Sequence, residues 1–174
     1  MGSDRRHATT TDDQVFRFGD LAFRTVVPSA FSSAMSVFEV DLAPGCLSGP
    51  LHVHEHEDAI SYVLEGELTF QIGDDEVRAA TGESVELPRR VRHTFWNAGP
   101  GHARALDVVT PGGLENYYEE LARVVDAPDV MDRIAAMEER FGVKMDWDSI
   151  PDLLAHHGVR IAASPPETIG AERR

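Results

Sequence analysis

The spacing of turn residues in the first two thirds of the chain most limits what it can fold into. Between residues 13 and 111 the apolar residues occur in short runs, rich in Val, Phe and Leu, which Gly, Pro and Asp interrupt. Short runs joined by tight turns are typical of the strands of a β-sandwich or β-barrel. The sequence therefore predicts an all-β domain over residues 13–111. The runs occupy residues 21–27, 35–42, 60–64, 67–72, 84–87, 94–97 and 103–109.

After the Pro-Gly-Gly turn at residues 111–113 the apolar period becomes helical. Two stretches each carry a single apolar face, and a third, shorter helix is predicted before Gly158. We expect a helical extension over residues 112–161, packed either across the mouth of the β-domain or against its side. The two apolar faces consist of Leu114, Tyr117, Tyr118, Leu121, Val124 and Val125, and of Val130, Ile134, Met137 and Phe141.

Charge and cysteine content exclude several classes of function. The chain has 30 Asp and Glu against 16 Lys and Arg, a net charge of −14, which repels nucleic acids and anionic membranes. Cys46 is the only cysteine, so neither an intrachain disulfide nor a cysteine metal cluster is predicted. No apolar run approaches the ~20 residues of a membrane span. We predict a cytoplasmic protein with no nucleic-acid or membrane partner and with mobile tails at residues 1–12 and 162–174.

Three of the eight histidines have informative spacing. His52 and His54 are two residues apart, so in a strand both side chains point to one face. His93 begins the predicted strand that runs through Asn97. Two imidazoles from one strand and a third from another can bind one divalent metal and leave open positions for a substrate or oxygen.

The residues around these histidines resemble the two sequence motifs of the cupins. His52, His54 and Gly66 match the first motif, in which Gly45 lies one residue too far upstream. The second motif is matched at its own spacing by Gly82, Pro88, His93 and Asn97. The resemblance implies an all-β double-stranded β-helix, the cupin jelly-roll barrel, with the helical C-terminal segment as an accessory. The helical end, which begins at Thr110, looks like that of small single-domain cupins described as quercetin-dioxygenase-like. The resemblance also implies a homodimer.

Two positions depart from the cupin pattern. Ala59 stands where cupins have a glutamate that binds the metal, and Arg90 replaces the glycine of the second motif. Three alternatives follow for the site. The metal is held by His52, His54 and His93 alone; a neighbouring His56, Glu57 or Asp58 supplies a fourth ligand; or the metal has been lost and the barrel binds a small molecule without it. The metal expected is Fe, Mn, Ni or Zn.

A site of three neutral imidazoles leaves a divalent metal with its full charge, and so favours an anionic, chelating substrate. We therefore expect a dioxygenase-type enzyme that acts on a small chelating, enolisable or phenolic molecule. The alternatives are an isomerase or cyclase of a small polar or polyketide-like metabolite, and a metal-free small-molecule-binding cupin. Strand parity predicts that the pocket is lined by Ala59, Ser61, Val63, Phe95 and Asn97.

Overall fold

A computed structural model gives the structure of residues 14–31 and 33–163. The β-domain is followed by a helical segment that contributes two short strands to one of the two sheets. The strands are β1 (Val15–Phe18), β2 (Leu21–Val27), β3 (Ser36–Leu42), β4 (Cys46–Leu47), β5 (Leu51–His54), β6 (Asp58–Glu65), β7 (Glu67–Ile72), β8 (Asp75–Ala80), β9 (Ser84–Leu87), β10 (His93–Asn97), β11 (Ala103–Thr110), β12 (Val143–Asp146) and β13 (Arg160–Ile161). The helices are α1 (Leu114–Val124), α2 (Val130–Phe141) and α3 (Ile150–His157), the last preceded by a 3-10 turn at Trp147–Ser149.

Two sheets face each other across the barrel. The first has the strand order β1-β2-β3-β11-β6-β9, and the second has the order β12-β5-β10-β4-β13, with β7 and β8 joined to it through β10. Neighbouring strands are antiparallel except β4 and β13, which are parallel. The prediction of a double-stranded β-helix with C-terminal helices is confirmed.

The core lies between the sheets, on the inward positions of alternating strands. On β6, Ser61 and Val63 are buried whereas Ile60 and Tyr62 are exposed. Such alternation fixes the register of a strand, because a slip of one residue would expose the buried face. It therefore also fixes which side chains of each strand can face a ligand inside the barrel.

A buried carboxylate anchors the start of α1 to the β-domain. Glu115 accepts hydrogen bonds from the backbone amide of Ser29 at 2.6 Å, from the Ser29 hydroxyl, and from the Ser36 hydroxyl at 2.6 Å. These bonds hold the pKa of Glu115 below its usual value although burial acts in the opposite direction. On the next turn Tyr118 stacks on Phe23 of β2, with ring centroids 4.3 Å apart. No helix of the described residues is long and apolar enough to cross a membrane.

Two strand pairings attach the C-terminal part of the helical segment to the barrel. β12 pairs with β5, and β13 pairs with β4. Ala162 is buried, and its carbonyl accepts a hydrogen bond from the Asp20 amide at 3.0 Å. The prediction that a mobile tail begins at residue 162 was therefore wrong for Ala162, because this residue packs against the barrel. The predicted tails at 1–12 and 164–174 lie outside the described residues.

Candidate metal centre

The structure brings His52, His54 and His93 together inside the barrel. β5 carries the first two, and β10 carries His93, which pairs directly with His52 in the antiparallel register. The ring centroids are 4.5 to 5.4 Å apart. One nitrogen of each ring lies within 4.8 Å of the other two, and no other group of described residues forms such a cluster.

Hydrogen bonds orient two of the three imidazoles. The Nδ1 atom of His52 lies 3.1 Å from the Pro50 carbonyl oxygen, and that of His93 lies 2.9 Å from the Val91 carbonyl oxygen. Each ring can therefore donate from Nδ1, which leaves Nε2 as the basic nitrogen available to a metal.

Burial and mutual repulsion favour the neutral form of these rings. Burial, together with His54, lowers the pKa of His93 to about 4. Burial and the neighbouring His93 and His54 lower the pKa of His52 well below its usual value. Neutral imidazoles with free Nε2 atoms are the ligands that divalent transition metals prefer, so the donor set fits such an ion.

A carboxylate lies near Nδ1 of the third imidazole, that of His54. Oε2 of Glu57 is 3.6 Å from Nδ1 of His54, and neither buried atom has a hydrogen-bond partner among the described residues. Metal-binding histidines commonly donate their second ring proton to a carboxylate, which fixes the tautomer and raises the basicity of the ligand. Glu57 is thus placed to position His54.

Replacing Glu57 by Gln is expected to weaken the binding of a divalent metal about 10- to 100-fold, because the carboxylate that orients His54 is lost. Competition with a chelating dye measures the affinity. Glu55→Gln is the matched control, since Glu55 pairs with Lys144 on the surface at 3.0 Å. Equal affinities for wild type and Glu57→Gln would show that Glu57 does not position the ligand.

The structure places the other two ligand candidates away from the histidines. Asp58 accepts hydrogen bonds from Arg89, including one from Nη2 at 2.6 Å, and this pairing lowers the pKa of Asp58 to about 2. His56 is exposed and packs against Gly142 at the end of α2. At the position of the cupin glutamate, Ala59 contributes only a methyl group to the cavity wall.

Arg90 points away from the site. Its backbone has a φ of 65°, a conformation that suits the glycine expected there. The side chain is 71% exposed and lies 3.6 Å from Glu55. The Arg90 amide donates to the His54 carbonyl at 2.8 Å, so this turn is tied to β5 through its backbone.

The histidines border a largely apolar cavity of about 170 Å³. An engineered apolar cavity of about 150 Å³ accommodates benzene, so this space suits one aromatic ring. The barrel contributes Ala59 and Phe95 to the wall, and the helical segment contributes the side chains of Tyr118, Leu121, Val130 and Ile134. The C-terminal helices therefore cover the end of the barrel above the histidines.

Three predicted lining residues occupy other places. Ser61 and Val63 are buried on the inner face of β6, but neither borders the cavity. Asn97 is also buried, where its amide donates to the carbonyls of Leu42 at 3.0 Å and Gly101 at 2.8 Å. Asn97 thus secures the turn after β10.

Sequence reasoning missed the acidic side chain of the cavity wall, Asp107 of β11. Its Oδ1 atom is shielded from solvent and has no hydrogen-bond partner among the described residues. The available signal was parity, because Ala103, Ala105 and Val109 occupy the buried positions of the same strand. An acidic residue in that alternation must face the interior.

The comparisons with known proteins agree with this architecture. Residues 38–109 match the family model described as a cupin domain, Cupin_2. A 72-residue stretch, 41% of this chain, is 33% identical to the tetracenomycin polyketide synthase protein TcmJ of Streptomyces glaucescens. The chain covers 48% of the length of that relative.

Two solved structures share the fold at low sequence identity. A PAC13 variant from Streptomyces, solved with uridine, has a TM-score of 0.53 and 15% identity, covering 66% of this chain and 88% of its own. The Cnp3 cupin domain of Schizosaccharomyces pombe has a TM-score of 0.52 and 15% identity, with coverages of 66% and 80%. Because the family model matches residues 38–109, which carry the three histidines, this part of the chain is a cupin domain.

Proposed function

We propose that the protein is a metal-dependent cupin enzyme, a dioxygenase-type oxidoreductase that acts on a small chelating, enolisable or phenolic molecule. The observation that carries the proposal is the position of three clustered imidazoles at the wall of an apolar cavity with room for about one ring. A divalent iron, manganese, nickel or zinc ion held by His52, His54 and His93 would supply Lewis acidity, open coordination positions and, for iron or manganese, redox chemistry.

The chain's own residues would select and orient the substrate. Apolar side chains from the barrel and from α1 and α2 would exclude water and pack against a ring, whereas the three histidines and Asp107 lie on strands of the two different sheets. Because the three ligands are neutral, an oxygen anion of the substrate would balance the charge of the site. A ring with adjacent hydroxyl or keto groups meets both demands.

A second candidate is a cyclase or isomerase of a polyketide-like metabolite. The name of the Streptomyces glaucescens relative associates it with a polyketide synthase. Asp107 favours this candidate, because proton transfer by a buried carboxyl group is sufficient for enolisation and ring closure.

Oxygen uptake tests the proposal and separates the candidates. The iron-loaded protein is mixed with catechol, a flavonol and a 1,3-diketone in an oxygen electrode, beside His93→Ala and the control His102→Ala. His102 is exposed and pairs with Asp41 outside the cavity. We expect uptake with at least one compound in wild type and control, and its loss in His93→Ala. Conversion without uptake favours the cyclase or isomerase, and no conversion by the metal-loaded protein contradicts both.

We also infer that the protein is a cytoplasmic homodimer with a small-molecule substrate. Ile60, Tyr62 and Leu64 form an exposed apolar row on the outer face of β6, at 47%, 44% and 37% exposure, which suits contact with a second copy. Light scattering after size-exclusion chromatography tests this association, and a monomer at all concentrations contradicts it.

A further inference from the structure

A carboxyl group of the first sheet shares the cavity with the histidines of the second sheet. Asp107 lies on β11, where its neighbours in register are Ser61 of β6 and Phe38 of β3. His52, His54 and His93 lie on β5 and β10 of the facing sheet, and they border the same cavity. A molecule in this space is therefore in reach of two chemically different polar groups.

Asp107 is only partly satisfied by the protein. Ser61 donates a hydrogen bond to the carboxyl group, whereas Oδ1 is shielded from solvent and has no hydrogen-bond partner in the described part of the chain. Burial consequently raises the pKa of Asp107 to about 6, which the Ser61 hydrogen bond only partly offsets. Keeping an incompletely bonded carboxyl group at an apolar wall costs stability, so contact of its accessible part with a ligand accounts for its presence.

Other titratable groups that face this space come from three elements. Tyr118 of α1 borders the cavity, and its pKa is raised well above the usual value by burial and by the Asp107 charge. The remaining groups are the three histidines of β5 and β10. Tyr118 therefore stays a neutral hydroxyl, and Asp107 is the acidic group of the wall that can change its proton occupancy near neutral pH.

We infer that Asp107 is the general base of the site and that its carboxylate, at the cavity wall, receives the proton of a phenolic or enolic hydroxyl group of the substrate. This inference rests on the proposed function for its substrate class. In the step, the substrate O–H bond breaks, its electron pair stays on the substrate oxygen, and the proton forms an O–H bond with the Asp107 carboxylate. The products are a phenolate or enolate and a neutral Asp107.

The ligand class follows from the whole cavity. Apolar walls and a volume of about 170 Å³ admit one ring, and Asp107 requires a hydroxyl donor on that ring. A ring that carries a methyl ether in place of the hydroxyl has the same shape but cannot donate. The difference in affinity between phenol and anisole therefore measures the hydrogen bond to Asp107.

Titration calorimetry of the metal-free full chain with phenol and with anisole tests the inference. At pH 7.5 we expect wild type to bind phenol about tenfold more tightly than anisole, because hydrogen bonds to a charged acceptor are the stronger kind. Asp107→Leu should bind both equally, and Asp107→Asn should retain a smaller preference that does not change between pH 5 and pH 8. The control is Asp75→Asn, at the exposed start of β8.

The outcomes separate this inference from the proposed function. Equal binding of phenol and anisole by wild type, or a preference that survives in Asp107→Leu, overturns the role of Asp107. Failure of both ligands to bind also overturns it. The metal affinity and oxygen uptake of the same preparation are measured separately, so a phenol preference without metal-dependent conversion supports Asp107 while contradicting the proposed enzyme.

Discussion

The double variant His52→Ala, His93→Ala is expected to lose divalent metal binding by a factor of 100 or more, roughly from one ion per chain to a trace. Removal of two of three imidazoles leaves His54 as the only nitrogen ligand of the cluster. A single imidazole cannot hold a transition metal against a competing chelator. Plasma mass spectrometry of wild type and variant after reconstitution and desalting measures the loss.

The control for this variant is His102→Ala, which removes an exposed histidine that is bonded to Asp41. It should retain the wild-type metal content. The circular dichroism of the double variant should also match wild type, because the chain is long enough to bury about 70% of its unfolded surface without help from a metal. Unchanged metal content in a folded double variant would place the ion elsewhere.

The second large effect is on stability. Asp107→Asn is expected to raise the free energy of unfolding, relative to wild type, by on the order of 3 kcal/mol at pH 7.5. The pKa of Asp107 rises from 3.8 to about 6 on folding, and each pKa unit corresponds to about 1.4 kcal/mol. The folded wild type therefore binds more protons than the unfolded chain, so its stability falls as pH rises from about 4 through 6. The amide that replaces the carboxyl group does not titrate, so the advantage of the variant should develop across this window.

Urea unfolding of metal-free wild type and Asp107→Asn between pH 3.5 and 8 measures this difference. The exposed control Asp75→Asn should change the unfolding free energy by less than about 0.5 kcal/mol at every pH. If the difference in unfolding free energy between wild type and Asp107→Asn does not change with pH, ionisation of Asp107 does not destabilise the folded protein. A more stable but less active variant is the expected signature of a residue kept for function.

Local patterns predict the elements of this chain well. The spacing of His52, His54 and His93 predicts that one metal can reach all three, because strand parity fixes the face to which each side chain points. The helical period likewise predicts α1, which the structure places at Leu114–Val124.

Tertiary contacts explain what the sequence could not predict. The same apolar face of α1 fits the side or the mouth of a barrel, and the hydrogen bonds of Glu115 with Ser29 and Ser36, 86 and 79 residues away, fix its position. The cavity wall formed by Tyr118 and the proximity of Glu57 to His54 depend on similar long-range or loop geometry. Strand parity places Asp107 on the inner face of β11 together with Ala105 and Val109. Its place in the cavity wall, however, depends on the neighbouring strands and helices, which the sequence does not specify.

The absence of a carboxylate at position 59 distinguishes this site from the cupin pattern of three histidines and one glutamate. With Ala59 in the wall, the cluster of three imidazoles includes no carboxylate in the described residues, and the space that a glutamate would fill is open to a ligand. The chain instead has the carboxylate of Glu57 beside Nδ1 of His54 and the carboxyl group of Asp107 on the cavity wall formed by the other sheet. On the proposed account, Glu57 would orient His54 as a metal ligand and Asp107 would contact the substrate.

Anomalous diffraction from crystals of the metal-loaded protein tests the central claim most directly. We expect a single strong peak between His52, His54 and His93, with three histidine nitrogens at about 2.0–2.2 Å and no protein carboxylate bound. A peak elsewhere, or no peak at this cluster after loading with iron, manganese, nickel and zinc in turn, would contradict the assignment of these histidines as a metal centre.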